Sequence, residues 1–269
     1  MEKLLKLKKL TKTFKTSIYK YPILFLVFGI VFYSCEKQDK KGVLKTYFPK
    51  DKEILFTEYI IKNGDTIVDG KYKLCNYNGI KIKTGLYKNG KSVGPITFFF
   101  NNGNIESIDY KNNNKSTETI FNYESGKIER YVFYDDFDMS GFIIRFDEQS
   151  NVKSYEGYPI LEIYQYKIAN KEEFKTKIKQ YLKVGDTLKQ HYLIANIPNA
   201  KRTLKIENQG VDNTKVHRTI KKISQTGLEI KEILIKKGIN KIRTIVKYEF
   251  NDKGKSVIND TISFEVEVH

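Results

Sequence analysis

The sequence has no tryptophan, only two cysteines, three histidines and five arginines among its 269 residues. Arginine is the residue best suited to bidentate recognition of bases, so its scarcity argues against a nucleic-acid partner. The sequence contains no HExxH, the motif of a common class of zinc-dependent enzymes. His191 and His217 lie in strand-like runs, where a structural role is expected. The sequence therefore predicts no enzymatic activity, no cofactor and no metal site.

Lysine gives the chain its formal charge of +16. Residues 35–269 hold 41 Lys and Arg against 31 Asp and Glu, a balance of +10. Charge runs usually form solvated faces. Attraction to anionic lipid headgroups or to surface glycans is the functional alternative.

An apolar run from Ile23 to Tyr33 follows a segment with seven lysines and one glutamate. A transmembrane helix needs about 20 mainly apolar residues, and this run is shorter. A basic region followed by a short apolar region is typical of a secretory signal. We therefore predict a signal peptide at residues 1–34 and an exported protein.

The run ends in Phe32-Tyr33-Ser34-Cys35, and its Ser-Cys resembles the lipobox of bacterial lipoproteins. Phe32 and Tyr33 depart from that pattern, which prefers Leu and a small residue. The resemblance implies that Cys35 carries acyl chains such as palmitate and becomes the mature N-terminus. Two or more chains hold a protein stably at a bilayer. An uncleaved signal anchor and ordinary secretion are the alternatives.

The lipobox resemblance places the protein in the cell envelope, with lipid anchoring to the outer membrane as the expectation. Residues 35–50 are charged and lack a core pattern, so they are predicted to be a solvated spacer. If Cys35 carries lipid, Cys75 has no disulfide partner and is expected to be a small buried hydrophobe.

Residues 51–157 contain a repeat of 23 residues. Tyr87, Tyr110 and Phe133 begin successive units, and Gly103 and Gly126 keep the same interval. Each unit has an aromatic strand, a polar turn and a second alternating strand, which is the pattern of a β-hairpin.

The stretch GLYKNGKSVG, Gly85 to Gly94, resembles the MORN family and its bacterial variants. The later units replace Gly85 by Ile108 and Tyr131, so they depart from the family pattern. The resemblance implies antiparallel hairpins stacked into one long sheet that contacts proteins or membranes. Some bacterial members carry an antitoxin label.

The repeat aromatics are expected to lie mostly in the core, because a single hairpin gains stability by burying its aromatic face against neighbours. The alternative is that Tyr87, Tyr110 and Phe133 form an exposed stripe that binds a sugar or a protein partner.

Residues 158–269 lose the repeat and show seven short alternating runs separated by turn residues. That number and spacing favour an immunoglobulin-like β-sandwich. The stretch KKGINKIRTIVKYEF, residues 236–250, resembles the penultimate strand of such bacterial domains. Residues 170–182 are predicted to form either a short helix or a strand connection.

Asp135, Asp136 and Asp138 form one acidic cluster that could offer oxygens to Ca²⁺. The spacing is not that of an EF-hand, and the cluster lies where the repeat turns, so a solvated loop is the expectation.

The predicted fold is all-β, with a MORN-like hairpin ribbon followed by an immunoglobulin-like sandwich. The predicted function is that of a non-enzymatic envelope lipoprotein, held at the membrane by lipid, that binds an unidentified envelope or extracellular protein. Two alternatives remain open: an immunity or antitoxin-type lipoprotein that neutralises a protein toxin, and a glycan-binding or glycan-active surface protein.

Overall fold

The computed structural model describes residues 40–112, 114–165 and 182–269. These residues form strands and turns, with one short 3-10 turn at Asn213–Lys215, so the predicted all-β fold is confirmed. The first sheet has ten strands: β1 (Lys40–Phe48), β2 (Glu53–Lys62), β3 (Asp65–Asn76), β4 (Lys81–Lys88), β5 (Lys91–Phe99), β6 (Ile105–Asn112), β7 (Lys115–Asn122), β8 (Ile128–Tyr134), β9 (Ser140–Phe146) and β10 (Val152–Gly157). The remaining strands are β11 (Ile160–Gln165), β12 (Thr187–Ile194), β13 (Ala200–Gln209), β14 (Arg218–Lys222), β15 (Gly227–Ile233), β16 (Gly238–Phe250) and β17 (Val257–Val268).

Strands β1 to β10 form a ribbon in which every strand pairs antiparallel with the next one in the chain. Short turns join them. Asn63 and Gly64 connect β2 to β3 with φ of 54° and 93°, a left-handed conformation that Asn and Gly tolerate best. The chain order is therefore also the spatial order of the strands.

The repeat is visible in the turns at one end of the ribbon. Turns that begin at Asn76, Phe100, Tyr123 and Asp147 share one pattern, in which the first residue's amide donates to the carbonyl four residues later. These starting positions are 24, 23 and 24 residues apart. The repeated hairpin structure is thus confirmed, with one extra residue in two of the three intervals.

The ribbon begins earlier than the sequence predicts. Lys40–Phe48 pair along their whole length with β2, so the prediction of a spacer is wrong for these nine residues. The strand lies at the sheet edge with both faces largely exposed, and it therefore lacks the apolar alternation that identifies a half-buried strand.

The C-terminal strands form two sheets with the orders β11-β12-β15-β14 and β13-β16-β17. This is the arrangement of an immunoglobulin constant-type sandwich, which has four strands in one sheet and three in the other. All seven predicted strands are present.

Polar contacts in the sandwich core join its two sheets. The fully buried Tyr192 accepts a 3.2 Å hydrogen bond from the Thr244 hydroxyl, and the Tyr248 hydroxyl donates to the carbonyl of Ala195 at 2.6 Å. Within the first sheet of the sandwich, Arg218 pairs with the buried Glu232 at 2.6 Å. Buried polar groups that are hydrogen-bonded in this way fix how the two sheets pack on each other.

The ribbon and the sandwich share one hydrophobic core. Tyr131, Phe133, Phe142 and Ile144 of the ribbon belong to the same buried cluster as the sandwich residues. The rings of Phe146 and Phe250 lie 6.0 Å apart. Further along the joint, the Asp252 carboxylate accepts from the amide of Val152, and the side chain of Asn151 accepts from the amide of Lys253. The sandwich is therefore packed against the last hairpins of the ribbon.

Candidate binding surface

The ribbon has two faces, and the sandwich covers part of only one. We call the face that carries Tyr131 and Phe133 the front, and the opposite face the back. Paired residues trace the front across all ten strands: Lys45, Phe56, Lys73, Thr84, Thr97, Ile108, Ile120, Tyr131, Ile144 and Tyr155. The sandwich packs on this row at Tyr131 and Ile144. The same face stays open over β1 to β5.

The first six strands form a single layer with little buried surface. Their described residues include five buried side chains: Thr57, Tyr72, Cys75, Ile96 and Ser107. Lysine stems cover the aromatic rings instead. The ammonium of Lys73 lies 5.2 Å from the Phe56 ring centre and that of Lys81 lies 4.6 Å from the Phe99 ring centre. Such cation–π contacts bury apolar stems and leave the charge in water.

A groove crosses the open front face. It consists of two adjoining hollows of about 640 and 560 Å³ that share Val43 and Glu58. The larger hollow is lined by apolar side chains that include Phe56, Leu86 and Pro95, and by Lys73. Its lining residues come from β1 to β5, a span of about 19 Å at the usual strand spacing. The groove thus combines an apolar floor with basic side chains.

The two carboxylates in the groove hold the backbone. Glu58 Oε2 accepts from the amide of Lys71 at 2.7 Å, where the sheet register shifts. Asp69 Oδ2 accepts from the amide of Asn89 at 2.9 Å. Gly70 lies against Glu58 with φ of 121°, and a Cβ there would fall 2.3 Å from Glu58 Oε2. These acids stabilise a bulge and a turn.

The exposed aromatic stripe, which was the alternative to burial of the repeat aromatics, does not form. Tyr87 lies on the back, where its ring stacks 4.8 Å from Tyr72. Tyr110 is half-buried on the front beside Glu118, and Phe133 is fully buried in the shared core. This corrects the stripe of Tyr87, Tyr110 and Phe133. The cause is the extra residue in the first interval. It aligns Lys83 with Ser107 across Phe98 and turns Tyr87 to the other face.

The acidic cluster closes a turn. Asp135 Oδ1 accepts from the amides of Phe137 and Met139, both at 2.9 Å. Asp138 Oδ1 accepts from the amide of Ser116 in the preceding hairpin, also at 2.9 Å. These oxygens bond to the backbone of two hairpins, as the loop interpretation expects.

The cysteine and the two histidines considered in the sequence analysis are either packed in the fold or exposed. Cys75 is buried and free, which confirms the expected role of a small hydrophobe. His191 lies 3.7 Å from Glu229; burial lowers its pKa, although Glu229 opposes that effect. His217 is exposed just before β14. Over the described ranges, no group of three or more His, Cys, Asp or Glu side chains could hold a metal ion.

The joint with the sandwich contains the most deeply buried acid of the ribbon. Glu118 is 1% exposed and accepts a 2.9 Å hydrogen bond from the Tyr131 hydroxyl. Burial raises the pKa of Glu118, while Tyr131 and the charges of Arg202 and Lys222 act in the opposite direction. It lies beneath the sandwich, outside the groove.

The groove was missed by sequence reasoning. Its signal is the placement of lysine and aromatic side chains on neighbouring strands, such as Lys45 and Phe56, which becomes readable only when the strand register is known. Cys35 and most of residues 170–182, which carry two of the sequence predictions, lie outside the described residues.

Comparison with models of known protein families and with curated proteins finds no match for this chain. Among the residues that can be described, no helix is long and apolar enough to cross a bilayer.

Proposed function

We propose that the protein is a non-enzymatic lipoprotein of the bacterial cell envelope, anchored through Cys35, that binds another envelope or extracellular protein in the front groove. The observation that supports this most directly is the groove itself. It offers Phe56, Leu86 and Pro95 at the surface of a sheet whose register is fixed, with lysines beside them. Exposed apolar surface bordered by charge is typical of protein contact sites.

The glycan alternatives are less well supported by the side chains in the groove. Sugars stack on open ring faces, whereas the ammonium of Lys73 lies over the Phe56 ring and that of Lys45 over both Tyr47 and Phe56. Hydrolysis of a glycan needs two carboxyl groups that flank the bond. Glu58 and Asp69 are instead engaged by backbone amides.

The anchor is tested by metabolic labelling with a fatty acid in the native bacterium. The wild-type chain should incorporate label, and Cys35→Ala should not. Label in both variants, or in neither, would reject acylation at Cys35.

The binding site is tested by a photo-crosslinking residue placed on either face. Position 86 lies on the groove, where Leu86 is 40% exposed, and position 145 lies on the back, where the Arg145 side chain is 41% exposed. A specific protein should crosslink from position 86 but not from position 145. The crosslink from position 86 should disappear when Lys73→Glu is added. A secreted toxin as that protein would favour the immunity alternative. Crosslinks of equal strength from both faces would contradict the proposed site.

A further inference from the structure

We propose that strand β1 docks edge-on against an anionic lipid surface, so that the ribbon rises from the bilayer with its groove open to one side. The orientation rests on the proposed anchor at Cys35. The lipid contact itself rests on the exposure and charge of β1.

Strand β1 is an unusually apolar sheet edge. It pairs with β2 on one side only and ends the ten-stranded sheet on the other. Val43 and Tyr47 are 60% and 53% exposed on the front, and Leu44 and Phe48 are 49% and 38% exposed on the back. An exposed edge of this kind normally finds a partner. Apolar side chains project on both sides of it, which suits an interface that receives the edge itself.

Lysines accompany these apolar side chains. Lys40, Lys41 and Lys45 are all exposed, and the Lys45 ammonium lies 4.9 Å from the centre of the Tyr47 ring. Tyrosine and phenylalanine favour the headgroup region of a bilayer, and lysine stems can lie along apolar surface while the charge reaches the phosphates. The combination matches an anionic interface in both polarity and charge.

The chain length between the predicted anchor and β1 is short. Lys40 follows Cys35 by five positions, and a fully extended chain over five steps spans at most about 18 Å. An acylated Cys35 would therefore keep the start of β1 close to the lipid headgroups. No other strand of the ribbon is tied to the anchor so closely.

Charge is segregated along the ribbon in the direction this orientation requires. Residues 40–100 contain 12 lysines and five acidic residues, a balance of +7. Residues 101–157 contain six basic and 11 acidic residues, a balance of −5. Because the strands follow chain order, β6 lies about 24 Å from β1 at the usual spacing, well beyond a Debye length of about 8 to 10 Å. The basic half faces the bilayer and the acidic half is held away from it.

The competing explanation is that the lysines of β1 only prevent edge-to-edge pairing of sheets. The other edge of the ribbon is an example of an edge strand that is protected only against pairing with another sheet. Strand β10 is short and exposed, and its Glu156 pairs with Arg145 at 2.9 Å. It lacks the four exposed apolar side chains of β1, two on each face.

The test uses the chain from residue 35 onward with Cys35→Ala, which contains every described residue and cannot be acylated. Binding is measured by co-sedimentation with vesicles of phosphatidylcholine alone or mixed with phosphatidylglycerol. We expect binding to the mixed vesicles only, and its loss at high salt. Acylation is read separately by fatty-acid labelling, so failure of the anchor and failure of the docking surface are distinguishable.

Two triple variants locate the contact. Each removes three positive charges, so the two differ only in where the charges are removed. In the β1 variant, Lys40, Lys41 and Lys45 become Gln; in the control, the exposed lysines Lys201, Lys237 and Lys253 become Gln. The β1 variant should bind the mixed vesicles about 100-fold more weakly, since a lysine near an anionic surface contributes about 1 kcal/mol. The control should bind within a few-fold of the parent, and circular dichroism should show that both variants remain folded. Equal losses in the two variants, or no binding by the parent, would overturn the proposal.

Discussion

The hydroxyl of Tyr131 connects the ribbon to the sandwich through Glu118. It donates to Glu118 Oε2 at 2.9 Å and accepts from the backbone amide of Asn196 at 2.8 Å. Tyr131 and Glu118 are both buried, so the carboxylate cannot turn to water if the hydroxyl is removed. One tyrosine oxygen thus bonds to one carboxylate oxygen of the ribbon and to an amide of the sandwich.

Tyr131→Phe should therefore destabilise the protein. The substitution keeps the ring but leaves the Asn196 amide and one Glu118 oxygen without this partner, and a buried unsatisfied group costs about 1 to 3 kcal/mol. Urea unfolding measures the change, with Tyr158→Phe as the control because Tyr158 is 67% exposed. Equal effects from the two substitutions would show that the buried hydroxyl contributes nothing specific.

Glu118 should make stability depend on pH. Because burial raises its pKa in the folded state, the folded protein binds more protons than the unfolded chain between the ordinary and the raised pKa. The free energy of unfolding contributed by Glu118 is therefore highest below this range and falls as pH rises through it. Tyr131, Arg202 and Lys222 limit the effect without reversing it.

Glu118→Gln isolates this contribution, since Gln cannot ionise. Unfolding of the wild type and the variant is measured in parallel from below pH 4.5 to pH 8, and the exposed Glu124→Gln is the control. The variant should gain stability relative to the wild type as pH rises, by about 1.4 kcal/mol for each pKa unit by which the carboxyl is raised. A difference that does not change with pH would contradict the assignment.

The strands of the sandwich could be predicted because their apolar residues alternate strictly. Ile262, Phe264, Val266 and Val268 lie at every second position of β17, and the last two are buried. The hairpin repeat was also readable, since its turns use glycine and asparagine where left-handed backbone is needed. Patterns that arise from one strand or one turn are local, and the sequence records them directly.

The front groove and the joint could not be predicted, because both depend on the pairing of distant strands. The partners Tyr131 and Asn196 are 65 residues apart in the chain. A single additional residue between repeat units moves Tyr87 to the back face, since side chains alternate across a strand. Strand β1 was not predicted for a different reason: both of its faces are largely exposed, so its sequence lacks the apolar alternation of a half-buried strand.

Tyr72 packs so closely on Gly85 that one methyl group added at position 85 should destabilise the ribbon. A Cβ at Gly85 would lie 2.6 Å from the Tyr72 ring, which is itself held against Tyr87. Gly85→Ala should therefore destabilise the ribbon by about 1 to 3 kcal/mol, the usual cost of overpacking. Gly254→Ala is the control, because the nearest atom there, Ser256 Oγ, is at an ordinary 3.5 Å. A neutral Gly85→Ala would mean that the Tyr72 ring moves freely.

Asp138 should stabilise the ribbon as a neutral acceptor would, independently of its charge. Its Oδ1 accepts from the amide of Ser116, and 24 residues earlier Asn114 makes the equivalent bond to the amide of Ser92, both at 2.9 Å. Both residues have left-handed backbone, with φ of 69° and 70°, which Asn and Asp tolerate better than Ala.

Asp138→Ala should accordingly lower the free energy of unfolding by about 1 to 3 kcal/mol, from the lost bond and the backbone strain together. Asp138→Asn keeps the acceptor and the tolerance of positive φ, so its unfolding curve should stay close to that of the wild type. Thermal unfolding with and without Ca²⁺ separates this role from metal binding. If Asp138→Asn lost as much stability as Asp138→Ala, and only in the presence of Ca²⁺, the negative charge would be acting as a cation ligand and the turn-bracing role would be wrong.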